Sequence, residues 1–389
     1  MSNGLGLYIH VPFCLSKCSY CHFASGVFSG SLVRPYFGAL RREMEAQARL
    51  LQRMNANGNG VSDRVIDTIF VGGGTPSLVD GQEIVKTLEW IRNTFSLAAF
   101  PEITLEVNPG TVTEDKLDCY REAGVNRISL GVQTFQDHLL KKVGRSHSVV
   151  DSISTVEMCR RKGIDNLSVD LIAGLPDQTG DDWQENLIRV VALSPEHLSL
   201  YLLEIHEDAH LGKREGLAGA SLPDEEAVAD WYQESVERLG SAGWKQYEIS
   251  NFCKPGRQSR HNLKYWTDQP FIGFGCGAHS YWAGERWGNE RDPVRYVELL
   301  EGGKPATTFR SEITPRQHLE EVIFLGLRLN AGLDLWRCRR KFGFDLRERF
   351  GRELSQLAQG ELIEIKGDRL RLTARGRLFS NEVFVQFMQ

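Results

Sequence analysis

Cys14, Cys18 and Cys21 crowd three thiols into one short run, Tyr8-Ile9-His10-Val11-Pro12-Phe13-Cys14-Leu15-Ser16-Lys17-Cys18-Ser19-Tyr20-Cys21. Thiolates are soft ligands, and C-x3-C-x2-C spacing on a short loop lets them converge on one soft metal centre. Three ligands leave an iron–sulfur cluster with one iron open to a further ligand. Two plainer readings compete: three buried thiols, or a structural zinc knuckle with His10 or His22 as the fourth ligand. The other five cysteines, Cys119, Cys159, Cys253, Cys276 and Cys338, lack paired spacing, so reduced buried thiols are expected rather than a disulfide framework. Cys276 and His279 have the look of a metal pair, but no second pair stands near them in sequence.

Such a loop needs a scaffold. Leu5 to His10 alternate as a strand, which puts the cysteines at its carboxyl end, where α/β barrels place chemistry. A helix is expected over Leu32–Met54, then a polar connection at Asn55–Ser62. The buried strand Val65–Val71 runs into Gly72-Gly73-Gly74-Thr75-Pro76-Ser77, where glycines let the backbone approach a ligand closely. The strand-then-helix rhythm continues with strands at Glu102–Val107, Arg127–Val132, Leu167–Ile172 and Leu198–Ile205. Helices are expected near Glu114–Ala123, over Val149–Lys162 and after Asp181. Six strands alternating with helices imply a parallel, right-handed α/β sheet, an open partial (β/α)6 barrel. Glu106, Gln133 and Asp170 fall at or near strand ends and point to one shared cavity, and each would be costly if buried without a partner.

The cysteine motif, with Tyr20 before its last thiol, resembles the signature of the radical S-adenosylmethionine (radical SAM) superfamily. In that superfamily the open iron of a 4Fe-4S cluster chelates S-adenosylmethionine and reduces its sulfonium. Nearly the whole length is similar to the oxygen-independent coproporphyrinogen III oxidase-like family. The matching residues include Gly72-Gly73-Gly74-Thr75-Pro76, Glu106-Val107-Asn108-Pro109, Gly131-Val132-Gln133, Gly144-Arg145 and Asp170-Leu171-Ile172-x-Gly174-Leu175-Pro176. The resemblance implies Cys14, Cys18 and Cys21 as cluster ligands. It also implies Tyr8, Tyr20, Gly73, Gly74, Thr75, Glu106, Gln133, Arg145 and Asp170 as the S-adenosylmethionine site. One departure is informative: the oxidases carry a fourth cysteine two residues past the third, where this chain has Phe23, and they have a longer segment before the motif. Both argue against the decarboxylation of coproporphyrinogen III to protoporphyrinogen IX, which stays as the alternative activity. His261-Asn262-Leu263-Lys264-Tyr265-Trp266 resembles the H-N-x-x-Y-W element of the heme chaperone branch. It implies heme as cargo, with His261, Tyr265 and Trp266 as contacts, and client hemoproteins, respiratory enzymes among them, as partners.

The remaining sequence sets the boundaries. A helix is expected to begin in Leu222–Glu226 and run to about Leu239, with a strand at Tyr247–Ser250 and a glycine-rich segment at Phe271–Ser280 that suits close packing. Thr314-Pro315-Arg316-Gln317 has capping-box spacing and starts a helix running to about Leu329. Short helices and a hairpin over Leu362–Leu372 then resemble a winged helix. The expected organisation is a partial barrel at 1–220, an extension with the H-N-x-x-Y-W element at 221–305, and a mostly helical winged-helix-like unit at 306–389. Winged helices often bind DNA, and Arg337 to Lys341 would be the contact. A net charge of −5 speaks against a nucleic-acid partner. Of the residues, 41% are hydrophobic and 25% charged, and no run reaches the ~18 apolar residues of a spanning helix. The expected setting is the cytoplasm, with any membrane contact peripheral and made through clients.

Overall fold

The computed structural model describes residues 4–56, 65–207, 209–213 and 221–388. The connection at Asn55–Ser62 and the boundary at 220 fall for the most part outside them. Strands β1 (Leu5–Val11), β2 (Ile66–Gly73), β3 (Leu97–Val107), β4 (Arg127–Gln133), β5 (Leu167–Ala173) and β6 (His197–Leu202) lie side by side in chain order, all parallel. Helices α1 (Val33–Ala56), α2 (Gly81–Thr94), α3 (Glu114–Glu122), α4 (Asp137–Lys142), α5 (Val149–Arg161) and α6 (Gly180–Leu193) make the crossovers. This is the expected (β/α)6 arrangement. Side-chain alternation explains its two faces. Leu5, Leu7, Ile9 and Val11 of β1 share one core with Tyr36, Phe37 and Leu40 of α1. The intervening Tyr8 and His10 hydrogen-bond to each other on the opposite, inner face. Thr113, Ser148 and Thr179 cap α3, α5 and α6, the last two in full capping boxes with Asp151 and Asp182. Each crossover helix thus starts abruptly after a strand-end loop, which leaves those loops free to carry chemistry.

The sheet grows at both edges. Beyond β6, after α7 (Glu225–Ser241), come β7 (Lys245–Glu248) and β8 (Asn251–Cys253); β8 pairs antiparallel with β6, and β7 pairs antiparallel with β8 at the edge. The strand expected at Tyr247–Ser250 is the end of β7 and the turn into β8. The chain then crosses to the opposite edge through α8 (Arg260–Trp266) and adds β9 (Phe271–Phe274), parallel to β1. Next come β10 (His279–Trp282), β11 (Glu285–Asn289), α9 (Pro293–Glu301) and β12 (Thr307–Glu312). The glycine-rich segment is therefore structural: a Cβ on Gly273 would meet the His279 carbonyl at 2.3 Å.

The capping box at Thr314 and Gln317 forms as expected and opens α10 (Pro315–Arg328). After it come β13 (Leu333–Asp334), α11 (Leu335–Phe342), α12 (Leu346–Arg349), α13 (Gly351–Gln359) and the hairpin β14 (Ile363–Lys366) and β15 (Arg369–Leu372). This unit has its own core, which includes Leu319, Ile323, Leu327, Phe350, Leu354 and Leu370. Because β12 pairs with β11, residues 307–312 belong to the large sheet, so we place the start of the C-terminal unit at 313 rather than 306. No helix among the described residues is long and apolar enough to cross a membrane.

Candidate functional site

The cysteine loop leaves the carboxyl end of β1 and is held from three sides. Cys14 N donates to Gly26 O at 2.9 Å, Cys21 N to Cys18 O at 3.1 Å, and Ser19 N to Val143 O at 3.1 Å. His10 braces it from below. Its Nε2 reaches the Ala24 carbonyl at 2.9 Å. That oxygen can only accept, so Nε2 carries the proton and Nδ1 receives the Tyr8 hydroxyl at 3.0 Å. Burial drives the His10 pKa down to about 4, so the ring is neutral.

The glycine segment is shaped against this loop. Gly73 sits at φ +113°, and a Cβ there would meet the His10 ring at 2.5 Å. Its amide donates to Glu106 Oε2 at 3.0 Å. The Gly74 and Thr75 amides donate to Val11 O and Phe13 O, both at 2.8 Å, carrying the β1–β2 ladder into the loops. With its amides spent, the segment can offer an ammonium group only carbonyl oxygens.

Across the barrel mouth, Asn108 links the pieces. Its Nδ2 donates to Thr75 Oγ1 at 2.9 Å, and its Oδ1 accepts from Arg145 Nη2 at 2.8 Å. Arg145 also donates to the Gly131 carbonyl and lies 3.6 Å from Cys18 Sγ. Burial alone would weaken its charge, but the neighbouring Tyr20 and Cys18 outweigh burial and raise its pKa. Tyr20 packs on Val143, Ile172 and Leu175. Thr75, Asn108 and Arg145 line a small open cleft together with Leu15, Ser16, Cys18, Thr111 and Ser146.

Below this rim stand two carboxyl groups. Burial, with Asp170 adding to it, pushes Glu106 up to about 7 despite the Gly73 amide. Asp170 is raised by burial too, offset by the hydroxyls of Ser199, Ser129 and Ser168 and by Arg127. Gln133 adopts φ +69° where the β4–β5 register slips between Leu130 and Gln133. Such a bulge re-aims a strand-end side chain and is stored strain of the kind found at ligand sites.

The three thiols suit an iron–sulfur cluster: a sulfur-only donor set, partly exposed, beside a polar cleft. Both ring nitrogens of His10 are engaged, so it is not available as the fourth ligand of a zinc knuckle without giving up Tyr8 or Ala24.

The comparisons with known proteins agree with this geometry. The radical SAM superfamily matches residues 8–189, and the HemN C-terminal domain matches residues 313–379. The heme chaperone HemW of Bacillus subtilis is 36% identical over 98% of this chain and 98% of its own length. That of Escherichia coli is 39% identical over 71% of this chain and 69% of its own. The chain belongs to the radical SAM superfamily, in its HemW family. In fold it matches the coproporphyrinogen III oxidase HemN of Escherichia coli with a TM-score of 0.86, at 24% identity, over 100% of this chain and 91% of that one. Membership in this family carries with it a 4Fe-4S cluster and S-adenosylmethionine.

The H-N-x-x-Y-W element of this HemW-family chain lies at the opposite end of the barrel. It forms α8, which plugs the amino-terminal ends of the strands from inside. Glu102 accepts from the amides of Arg260 and His261 at 3.0 and 2.9 Å, capping the helix. His261 is 1% exposed. Its Nδ1 pairs with Thr68 Oγ1 at 2.8 Å and its Nε2 with Tyr265 OH at 2.9 Å. Burial lowers its pKa to about 3. Trp266 lies under the Arg328 guanidinium of α10, 4.4 Å from its ring centroid. The structure thus gives these residues protein partners, and a porphyrin iron would reach His261 only by displacing one of them. Sequence reasoning did not single out Asn108 as a site residue, and it took His10 only as a candidate zinc ligand, not as the brace of the cysteine loop. The signal was available in the polar residues next to strand-end prolines, Asn108-Pro109 and His10-x-Pro12.

Proposed function

We propose that this chain is a heme chaperone: it holds a 4Fe-4S cluster at Cys14, Cys18 and Cys21, binds S-adenosylmethionine at the strand ends, and hands heme to client hemoproteins in the cytoplasm. The observation that carries this reading is similarity along 98% of both chains to a protein named heme chaperone HemW. The chemistry such a cluster supplies when bound is one-electron delivery to the sulfonium of a chelated S-adenosylmethionine. The protein's own part is to bind and orient. Glu106, Gln133 and Asp170 offer acceptors to a ribose diol and an ammonium, with Tyr8 beside them. Arg145, fixed by Asn108 and Gly131, faces a carboxylate. Gly73, Gly74 and Thr75 close the wall behind Cys14, and Tyr20 packs the cysteine loop onto β5.

Glu106 makes this testable by pH. Its carboxyl sits near 7 in the ligand-free protein, and a ligand hydroxyl or ammonium needs the carboxylate. Affinity for S-adenosylmethionine should therefore rise with pH up to about 7, by at most ~10-fold per unit, and level off above. Glu106→Gln should bind more weakly with no slope. Isothermal titration across pH 5.5–8.5, an arbitrary span of roughly three units around that value, reads both. A pH-independent wild type would remove Glu106 from the site.

The function itself is tested with anaerobically reconstituted protein. Titration with ferric heme should give a stoichiometric Soret change, while coproporphyrinogen III incubated with S-adenosylmethionine and reductant is recovered unchanged. Turnover to protoporphyrinogen IX, or no heme binding, would overturn the chaperone reading.

A further inference from the structure

The floor of the barrel lumen holds a charge that the protein does not partner. On β4, Ile128, Leu130 and Val132 pack into the core shared with the crossover helices, so the alternate residues Arg127, Ser129 and Gly131 face inward. Arg127 is 2% exposed, and Thr104, its register partner on β3, is fully buried. Arg127 Nε and Thr104 Oγ1 both lack a hydrogen-bond partner among the described residues, and no described carboxylate pairs with the guanidinium. Arginine is almost never buried unless paired, because taking an ionised group out of water without a partner is costly. Arg145 is the instructive comparison: its Nε is also unpartnered, but Asn108 and Gly131 hold its other nitrogens.

The neighbours show where this charge points. Burial raises the pKa of Glu106 and Asp170 and lowers that of His197 and His261, and in all four the positive charge of Arg127 is a further cause. A guanidinium that acts on β3, β5, β6 and α8 at once extends into the middle of the lumen. The nearby carboxyl groups are otherwise engaged. Glu102 caps α8, Glu106 takes the Gly73 amide, and Asp170 takes the Ser129 hydroxyl. The register also sets the height. Tyr8, Phe70, Thr104 and Arg127 pair in one row around the wall, and Glu106 pairs with Ser129 in the row above. Tyr8 and Phe70 lie with ring centroids 6.2 Å apart, so flat apolar surface adjoins the guanidinium.

We infer that Arg127 and Thr104 form a carboxylate-binding site on the floor of the lumen, below Glu106 and Asp170, for an organic acid whose apolar body lies along Tyr8 and Phe70. A carboxylate suits it better than a phosphate. One guanidinium fork matches one carboxylate in charge and in its two parallel hydrogen bonds, whereas a polyanion would face Glu106 and Asp170 directly above. The Thr104 hydroxyl donates the third bond. The carboxylate can come from a propionate arm of a porphyrin or from a free small acid. The site does not depend on the chaperone reading; a porphyrin source would specify how that cargo is anchored.

The test uses full-length, anaerobically reconstituted wild type, Arg127→Met, Arg127→Lys and Thr104→Val, saturated with S-adenosylmethionine and without reductant, so that Arg145 is occupied. In the first arm the thermal midpoint is followed against sodium propionate, with sodium chloride at equal ionic strength as the reference. Propionate should raise the wild-type midpoint, since a ligand of the native state stabilises it. Arg127→Met should lose that rise and Thr104→Val should lose part of it. If Arg127→Met does not fold, Arg127→Lys decides, because it keeps the charge and lacks the fork, and its response should be clearly weaker. In the second arm, ferric heme and its dimethyl ester are titrated by Soret absorbance. If the source is a porphyrin, the ester should bind wild type about 10-fold to 100-fold more weakly than heme, the range of a charge-assisted contact, and Arg127→Met should erase the difference. Equal binding of heme and ester, with the propionate response intact, would assign the site to a free acid. The site is overturned if wild type responds to propionate no more than to chloride and binds heme and ester alike, or if the Arg127 variants match wild type in both arms. Absence of heme binding by wild type would overturn the chaperone reading alone and leave the propionate arm to decide this site.

Discussion

Replacing any one of Cys14, Cys18 or Cys21 with alanine is expected to abolish the iron–sulfur chromophore and labile sulfide, with the fold intact. All three thiols are only partly buried, so their removal opens no core cavity and exposes no apolar surface. What each supplies is a position in the donor set. Burial raises the Cys14 pKa despite the nearby Ser25 and Thr75 hydroxyls, so the free protein keeps it a thiol. Cys18 faces the Arg145 guanidinium at 3.6 Å. Two thiolates hold a 4Fe-4S cluster poorly against water and oxidant, so the expected loss is nearly complete rather than graded. Cys119→Ala, on α3 and remote from the loop, is the control and should retain the cluster. Iron and sulfide analysis with circular dichroism reads both outcomes. A full cluster in a Cys14, Cys18 or Cys21 variant would remove that residue from the ligand set. Zinc without iron in the wild type would revive the knuckle.

The parallel half of the fold was legible because its strands are buried on both faces. β1, β2, β4 and β5 read as apolar runs that end in glycine or polar residues, and the helices between them carry capping signals. The start of β3 was not legible, since Leu97-Ala98-Ala99-Phe100-Pro101 contains a proline and is largely exposed, and only pairing with β2 makes it a strand. The same holds for β10, β11 and β12, whose identity depends on an edge that the sequence does not display. Within the candidate site, Glu106, Gln133, Asp170 and Arg145 could be proposed from strand-end position and motif order, because both place them toward the carboxyl ends of the strands. The bond from Asn108 to Arg145 could not, because it joins loops whose facing depends on barrel curvature. His261 is the clearest case. The motif picks out the residues of α8, but which end of the barrel they occupy is decided by where the β8–β9 connection crosses.

Lys264, inside that connection, should give the largest change in stability. Its Nζ lies 2.7 Å from Asp67 Oδ1, with the two side chains 2% and 4% exposed, and it also donates to the Gly4 carbonyl at 2.8 Å. The stem runs across Gly6, where a Cβ would come within 2.8 Å of Lys264 Cδ. Lys264→Met keeps most of the stem and removes the charge, leaving the Asp67 carboxylate buried against an apolar chain. Breaking one side of a buried pair costs about 3–5 kcal/mol, a large share of the roughly 5–15 kcal/mol that holds a domain together. The urea midpoint should fall accordingly, and Asp67→Asn in the same chain should recover part of the loss, because it removes the stranded charge. The size of the effect also bears on heme. A cost of that order means α8 is a tightly fastened plug, and His261 is then a structural residue that positions Thr68 and Tyr265 at the barrel base. A cost below about 1 kcal/mol, the range of an exposed pair, would mean the base opens readily. His261 would then become accessible to a porphyrin.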